Sequence, residues 1–491
     1  MSLSILFVST EMSPYAKSGG LGDVIGSLPF ALRELGVDAR VVIPKYRNIR
    51  QDHLKDISYV DSFTVNLSWR NQNASIYTFD SDVPTYLIGN DYYFDRDGFY
   101  GYGDDHERFS FFSMASLVFL NHIDFKPDVI HFNDWQTGLG PVFLKDIYSR
   151  FLYYSNMKSL YTIHNLQYQG IFGRDCVSAM GLNDGYCATD KLEFYENIST
   201  MKAGLVYADA VSTVSPTYAD EIQTGTYGFS MDGVLRSRKN DLSGILNGID
   251  YKKNDPETDP QLFQNYSSNS FHLKKVNKTK LQEMLHLPQK DVPMVAIISR
   301  LVDQKGIDLV SVAMDEIMSK DLQLVVLGTG DGRYEGLFKN MAWRAPNKIS
   351  ANICFDESLA QKIYAASDMF LMPSLFEPCG LGQLISMRYG SVPIARKTGG
   401  LNDTVINYDD NSRTGTGFVF EDYVASGMMW AFNKALDVYY RNRDEWNNIA
   451  VSCMKKDFSW EKSARQYIGL YEKMAGAGAA VNRAGARLLQ S

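Results

Sequence analysis

The segment Tyr15–Pro29, YAKSGGLGDVIGSLP, comes two residues after the apolar run Ser4–Met12, SILFVSTEM. A strand, two adjacent glycines and then a helical pattern is how many phosphate-binding α/β sites begin. Lys17 stands two residues before the Gly19-Gly20 pair, and Asp23 follows it closely. The glycines Gly19, Gly20 and Gly22 give the spacing G-G-x-G. A dinucleotide fingerprint needs G-x-G-x-x-G, so a nicotinamide dehydrogenase is not the reading.

Working outward, short β-branched runs alternate with longer helical patterns. LSILFVS, ARVVIP, PDVIHF, LYTIHN and AVSTVS in the first half read as strands, as do MVAIISRL, LQLVVLG, DMFLMPS, SVPIAR and GFVFED in the second. Continuous apolar runs suit parallel strands covered on both faces. The fold class expected is therefore α/β, with two Rossmann-like, doubly wound domains and a ligand cleft between them. The expected divisions are 1–245 and 246–455, joined near GILNGID (Gly244–Asp250), then a helix over 456–475 and a tail over 476–491. The tail is low in complexity and reads as frayed or artificial.

Composition narrows the classes. A chain of 491 residues with 45% hydrophobic and 22% charged residues folds into more than one domain. A formal charge of −8 argues against nucleic acid or an anionic membrane as partner. The five cysteines (Cys176, Cys187, Cys354, Cys379, Cys453) are scattered and form no C-x-x-C, so neither a disulfide framework nor structural zinc is expected. No leader pattern or membrane-length apolar run is present, which predicts a cytoplasmic protein or the mature form of a plastid one.

Several loops after the predicted strands carry chemistry. ISRLVDQKG puts Arg300 at a strand end and Lys305 in the next loop, where two fixed cations can neutralise a diphosphate. In SLFEPCGLGQLISM, Glu377 can accept bonds from sugar hydroxyls, while Pro378, Gly380 and Gly382 turn backbone amides toward a ligand. The competing reading of Glu377 is a carboxylate favouring a helix dipole. YTIHNLQYQG places His164 and Asn165 at a strand end, and HFNDWQTG does the same for Asp134 and Trp135. Trp135 suits either a sugar face or the domain core. GTGDG, residues 328–332, is a glycine loop or simply a turn. H-E-x-x-H, G-x-S-x-G and Walker motifs are absent, so metalloprotease, serine hydrolase and P-loop readings lose support.

Taken in order, KSGGLGDV, HFNDWQTG, TIHNLQYQG, SRLVDQKG, FEPCGLGQL and RKTGGLNDTV resemble the bacterial glycogen synthases and plant starch synthases, retaining glycosyltransferases of the GT-B architecture. The likeness runs from about Ile5 to about Lys473, with DFSWEKSARQYIGLYEKM similar to the family's closing helix, which crosses back to the first domain. The resemblance implies transfer of glucose from ADP-glucose to the nonreducing end of glycogen or another α-1,4-glucan, with retention and with no cofactor or metal. It places Lys17, Gly19 and Gly20 near the donor diphosphate and sugar, and Arg300 and Lys305 on the departing ADP. Glu377 and the amides of Cys379, Gly380 and Leu381 hold the glucose hydroxyls and distal phosphate. His164 lies against the glucosyl ring, with its side chain near the 6-hydroxyl and its carbonyl near the anomeric carbon. Asp23 and Asn247 are implied as nucleoside-side or cleft contacts, and Tyr100, Asp134, Trp135 and Asn165 as the sugar or acceptor side.

Two positions depart from related patterns. Phe355 stands where many such synthases have the tyrosine expected to stack on adenine, which keeps stacking and loses a hydroxyl. Ile385 occupies the place where the wider class of retaining GT-B enzymes often has a second glutamate. The mechanism implied is front-face internal return, in which the leaving phosphate helps deprotonate the acceptor. The alternatives are a GT-B enzyme with another donor or acceptor, such as UDP-glucose, and a non-catalytic glucan-binding protein. A phosphorylase is a poor fit, because nothing identifies a pyridoxal-phosphate lysine.

Overall fold

Side chains from both faces of two sheets, one mixed and one wholly parallel, build the cores, and the chain divides accordingly into two units. The computed structural model describes residues 3–49 and 57–488. Unit 1 comprises Met1–Val214, Ala219–Ile245 and Trp460–Ser491; unit 2 comprises Ser215–Tyr218 and Leu246–Ser459.

In unit 1 the strands are β1 (Ser4–Val8), β2 (Asp38–Pro44), β3 (Ser58–Leu67), β4 (Arg70–Phe79), β5 (Thr85–Gly89), β6 (Val129–Asn133), β7 (Lys158–Ile163), β8 (Ile171–Gly173), β9 (Glu193–Phe194), β10 (Asn197–Ser199), β11 (Ala210–Thr213) and β12 (Leu242–Gly244). Nine form one sheet in the order β12-β11-β7-β6-β1-β2-β5-β4-β3, and β8, β10 and β9 form a small separate one. Pairing is parallel from β12 to β5 and antiparallel through β5, β4 and β3. The runs read from sequence lie on β1, β2, β6, β7 and β11. The β3–β4 hairpin escaped that reading because its strands are polar and alternate: β3 buries every second residue toward its end, as a sheet with one wet face does.

The helix Trp460–Leu488 belongs to unit 1. It packs on the helix Leu28–Glu34 and on β6. Tyr467 and Tyr471 are fully buried, and the Tyr471 hydroxyl meets His131 Nδ1 at 2.8 Å. The stretch read from sequence as an unpatterned tail over 476–491 is helical as far as Leu488 after a break at Gly476 (φ 56°); its alanines favour helix. Residues 489–491 lie outside the described residues.

Unit 2 holds β13 (Met294–Ile298), β14 (Gln323–Leu327), β15 (Ile349–Asn352), β16 (Met369–Met372), β17 (Val392–Arg396) and β18 (Phe418–Phe420). All pair in parallel, in the order β15-β14-β13-β16-β17-β18. Counted within the unit this is 3-2-1-4-5-6, the doubly wound dinucleotide-fold order. The connecting helices are amphipathic: Ile307–Ser319 buries Ile307, Val310, Met314 and Ile317, one stripe at helical spacing. The order reverses between β13 and β16, and ligands of such sheets bind at the carboxyl ends there. In unit 1 the corresponding reversal lies between β1 and β6.

Candidate active site

The loop after β1 carries the segment on which the sequence reading turned. Glu11, 4% exposed, anchors it. Its carboxylate accepts from the amides of Ser18 (2.7 Å) and Gly19 (3.1 Å), the Ser18 hydroxyl (2.6 Å) and the Tyr100 hydroxyl (2.8 Å). Two loop amides are thus committed to an internal carboxylate. Tyr100, which also meets the Thr10 hydroxyl at 2.9 Å, braces this loop. Lys17 Nζ pairs with Asp23 at 2.8 Å. A Cβ added at Gly19 or Gly20 would meet nothing within 4 Å, whereas one at Gly22 would lie 3.0 Å from Lys17 Cγ. The first two glycines therefore leave open space above the loop, and the third lets the helix Gly20–Ile25 lie against Lys17.

Across the reversal, β6 ends in Asn133, and Asp134 follows it. Asp134 has φ 56°, a left-handed conformation that costs a non-glycine residue strain. The turn aims its carboxylate at the next strand end, where it accepts from the amide of His164 at 2.7 Å and more weakly from that of Asn165 at 3.5 Å. Burial pushes the Asp134 carboxyl up to about 7, against the two amides that favour its anion. Both amide N–H groups of Asn133 are taken, by the carbonyls of Val8 (3.1 Å) and His131 (3.0 Å). Its Oδ1 therefore faces His164 Nε2, 2.9 Å away, as an acceptor. Burial pushes the His164 imidazole down to about 3. The ring is thus neutral with its proton on Nε2, and Nδ1 is left as an acceptor.

Trp135 and Asn165 have local duties. The Trp135 ring packs edge-on to Phe109 (centroids 5.3 Å apart) and against Phe172 and Tyr100, and Asn165 Oδ1 accepts from the Gln167 amide. Of the two readings weighed for Trp135, these contacts are the packing one.

In unit 2, Arg300 and Lys305 leave β13, and Glu377 follows β16, so both sides of the reversal point carry charge. Lys305 Nζ lies 2.9 and 2.7 Å from the two Glu377 oxygens, and the Ser374 hydroxyl donates to the second at 3.0 Å. Both side chains of the pair are largely buried, Glu377 at 7% exposure and Lys305 at 18%. Arg300 is exposed and reaches Gln304 at 3.4 Å. Each charge read from sequence as a separate ligand contact is therefore also a partner of its neighbour.

Glycines set the loops around this cluster. Gly306 (φ 73°) could not carry a Cβ, which would fall 2.0 Å from the Pro373 carbonyl oxygen. GTGDG proves to be a packing device: Gly328 and Gly330 press against the backbone of Ser299 and Leu301, on either side of Arg300. Asn247 and Cys379 are buried together, with the backbone N–H of Asn247 donating to the Cys379 sulfur. Burial raises that thiol to about 12, so it stays protonated. Asn247 Oδ1 finds no partner. Gly380 (φ 74°) and Leu381 lead into the helix Gly382–Arg388. Phe355 stands apart in the loop after β15, two strands from the reversal, with 78% of its surface exposed.

Glu11, Asn133, Ser374 and Gln304 were missed by sequence reasoning. An acid closing an apolar run, as Glu11 closes SILFVSTEM, was the available signal for the first. Among the described residues no group of three or more His, Cys, Asp or Glu could hold a metal ion, and no helix is long and apolar enough to cross a membrane.

Comparison with known proteins gives consistent matches. Residues 4–237 match the family described as starch synthase catalytic domain, and residues 280–450 match glycosyl transferases group 1. Glycogen synthase of Clostridium novyi is 51% identical over 476 residues, covering 96% of this chain and 99% of that protein. Glycogen synthase of Thermotoga maritima is 49% identical over 479 residues, with the same coverage. Among solved structures, the catalytic domain of starch synthase IV from Arabidopsis thaliana, bound to ADP and acarbose, superposes with a TM-score of 0.91 at 33% identity. That match covers 97% of this chain and all of the other. Sucrose-phosphate synthase from Thermosynechococcus elongatus, 19% identical with a TM-score of 0.61, shares the fold.

Proposed function

This chain belongs to the glycogen and starch synthase family of glycosyltransferases, and from that premise we propose that it transfers glucose from ADP-glucose to the nonreducing end of an α-1,4-glucan with retention. The observation that carries the reading is the charged cluster at the strand reversal of unit 2: Arg300 beside the Lys305–Glu377 pair. A diphosphate at this edge would draw on both cations. Arg300 supplies charge directly, while Lys305 shares its ammonium between Glu377 and the phosphate. As the bond to ADP breaks, negative charge grows on the leaving oxygen, and fixed cations stabilise it without reorganising.

Glu377 orients the sugar in this reading. A carboxylate offers about four acceptor directions, and Lys305 and Ser374 use three. The remainder suits one glucose hydroxyl. In unit 1, the free Nδ1 lone pair of His164 can accept from the 6-hydroxyl, while Asp134 holds the backbone of residue 164 so that its carbonyl faces the anomeric carbon. Retention then follows front-face internal return: the leaving phosphate takes the acceptor proton on the side from which it departs. The diphosphate charge is met by side chains, so no divalent cation is called for. A cytoplasmic location belongs to the same reading, supported by five cysteines that all stand as free thiols.

The test is chain extension on glycogen with ADP-glucose and UDP-glucose in parallel, with and without EDTA. ADP release with extension, unchanged by EDTA, is the expected result. Silence with both donors overturns the reading, preference for UDP-glucose reassigns the donor, and loss of activity in EDTA removes the metal-free part. Phe355→Ala should raise KM for the donor about tenfold with kcat little changed, as loss of one base-stacking ring does.

A further inference from the structure

Unit 2 contains a cavity of about 500 Å³ that shares no lining residue with the cluster described above. It sits at the other end of the same strands. Asp291 precedes β13, Asp368 precedes β16 and Gly390 precedes β17, and all three line it. Arg300 and Glu377 follow β13 and β16. Strands of four or five residues separate the two edges by about 17 Å. Ligands of parallel sheets favour the carboxyl edge, so a roomy polar cavity at the amino edge is not accounted for by glucosyl transfer.

Its charge has a definite sign. The helix Lys274–Met284 begins at the cavity, and its first turn carries Lys274, Lys275 and, one turn on, Lys278, with no acidic residue. That is the reverse of what a helix dipole favours. Two of these lysines are committed to the fold. Lys274 Nζ donates to the carbonyls of Tyr364, Ala365 and Tyr389 at 2.8–3.0 Å. Lys278 Nζ binds Asp368 (2.6 Å) and the Val292 carbonyl (2.5 Å). The cavity's carboxylates are engaged too: Asp368 by Lys278 and the Met294 amide, and Asp291 by Arg443 at 3.4 Å. This leaves Lys275, exposed like His272, as the lysine with no part in the fold, while Arg443, already paired with Asp291, lies over the Tyr439 ring, 3.5 Å from its centroid. In a chain of net charge −8, the four lysine and arginine side chains of this lining outnumber its two carboxylates.

We propose that this cavity binds a small phosphate-bearing molecule of about monosaccharide size, with Lys275, Arg443 and His272 around the phosphate and the Asn447 and Asn448 amides toward its hydroxyls. A volume near 500 Å³ lies within the range of small-ligand sites. A planar guanidinium already fixed by an aromatic face binds phosphate oxygens with little further ordering. The proposal does not depend on the glucosyl-transfer reading.

The test is calorimetric titration of the full chain with glucose 1-phosphate, inorganic phosphate and glucose, in wild type, Lys275→Glu, Arg443→Ala and Arg300→Ala. Saturable binding of glucose 1-phosphate is expected in wild type and in Arg300→Ala, and at least about tenfold weaker binding in Lys275→Glu and Arg443→Ala, the weight of one lost charge-assisted bond. Lys275 is exposed, so its variant should keep the wild-type melting temperature and remain a fair test even if Arg443→Ala does not fold. Inorganic phosphate binding as tightly as the ester would support the site and name phosphate itself as the ligand. Absence of saturable binding, loss in Arg300→Ala but not in Lys275→Glu, or glucose binding as tightly as the ester would overturn it.

Discussion

Gly19 and Gly306 are both glycines in loops after a first strand, yet the chain needs them for different reasons. At Gly306 a methyl would strike a backbone carbonyl and φ is left-handed, so Gly306→Ala should cost stability by about 2 kcal/mol or more. At Gly19 and Gly20 a methyl meets nothing. Alanine there should leave the melting temperature within a degree or two and lower kcat/KM roughly tenfold by crowding the donor; a variant of full activity would remove these glycines from the site. His164 and Asp134 make a second contrast, read through pH. A neutral His164 in the fold must take up a proton on unfolding anywhere between about 3 and its ordinary 6.5, so it makes stability rise with pH across that window. Asp134 holds a proton in the fold that the unfolded chain has already released above 3.8, so it makes stability fall as pH rises toward about 7. The two slopes oppose each other between about 4 and 6.5. Denaturant titrations should expose them singly: Asp134→Asn leaves stability rising with pH, and His164→Gln leaves it falling. Parallel, unchanged slopes in both variants would refute these protonation states.

The loops after β13 and β16 act as one element through the Lys305–Glu377 pair. Removing one member strands a buried charge, so Lys305→Met should destabilise unit 2 by about 3 kcal/mol, and Glu377→Gln by less because a neutral amide remains. The double variant should recover part of the loss while remaining inactive, and a double-mutant cycle with no coupling would show that the pair contributes nothing to the fold. This pairing also marks where sequence stopped being informative. Arg300, Lys305 and Glu377 could be placed at strand ends because apolar runs reveal strands, and strand ends in parallel sheets carry ligands. That Lys305 and Glu377, 72 positions apart, neutralise each other depends on strand order, which periodicity does not encode. Glu11 escaped for a related reason: its four partners are loop amides and hydroxyls that come together only once the turn at residues 9–19 exists. The β3–β4 hairpin was missed because half its side chains face water, so its hydrophobic signal is halved. The glycine loop at 328–332 left both of its readings open, since a close approach of two backbones demands glycine as strictly as a phosphate does.

At the scale of the whole chain, the discontinuity of unit 1 has an energetic consequence. The chain leaves this unit at Ile245, completes unit 2, and returns at Trp460. The returning helix contributes Trp460, Ala464, Tyr467 and Tyr471 to the unit 1 core. Two fully buried tyrosines contribute roughly 3–6 kcal/mol, at about 1.5–3 kcal/mol per large buried side chain before side-chain ordering is counted. Against a net domain stability of about 5–15 kcal/mol that is a large loss. The helix also satisfies His131 Nδ1 through the Tyr471 hydroxyl, at the centre of a buried chain that continues through Thr162 to Ser212. Ending the protein at Ser459 should therefore unfold unit 1 selectively, because unit 2 keeps its own closing contact, the Ile249 amide on the Phe458 carbonyl. Limited proteolysis read by mass spectrometry should find early cuts confined to residues 1–245 and a protected fragment from about 246 onward. The milder Tyr471→Phe, which removes only the hydroxyl, should lower unit 1 stability by about 1–2 kcal/mol through the unpaired histidine. Equal protection of both units in the truncated protein would mean that the helix covers unit 1 without holding it together.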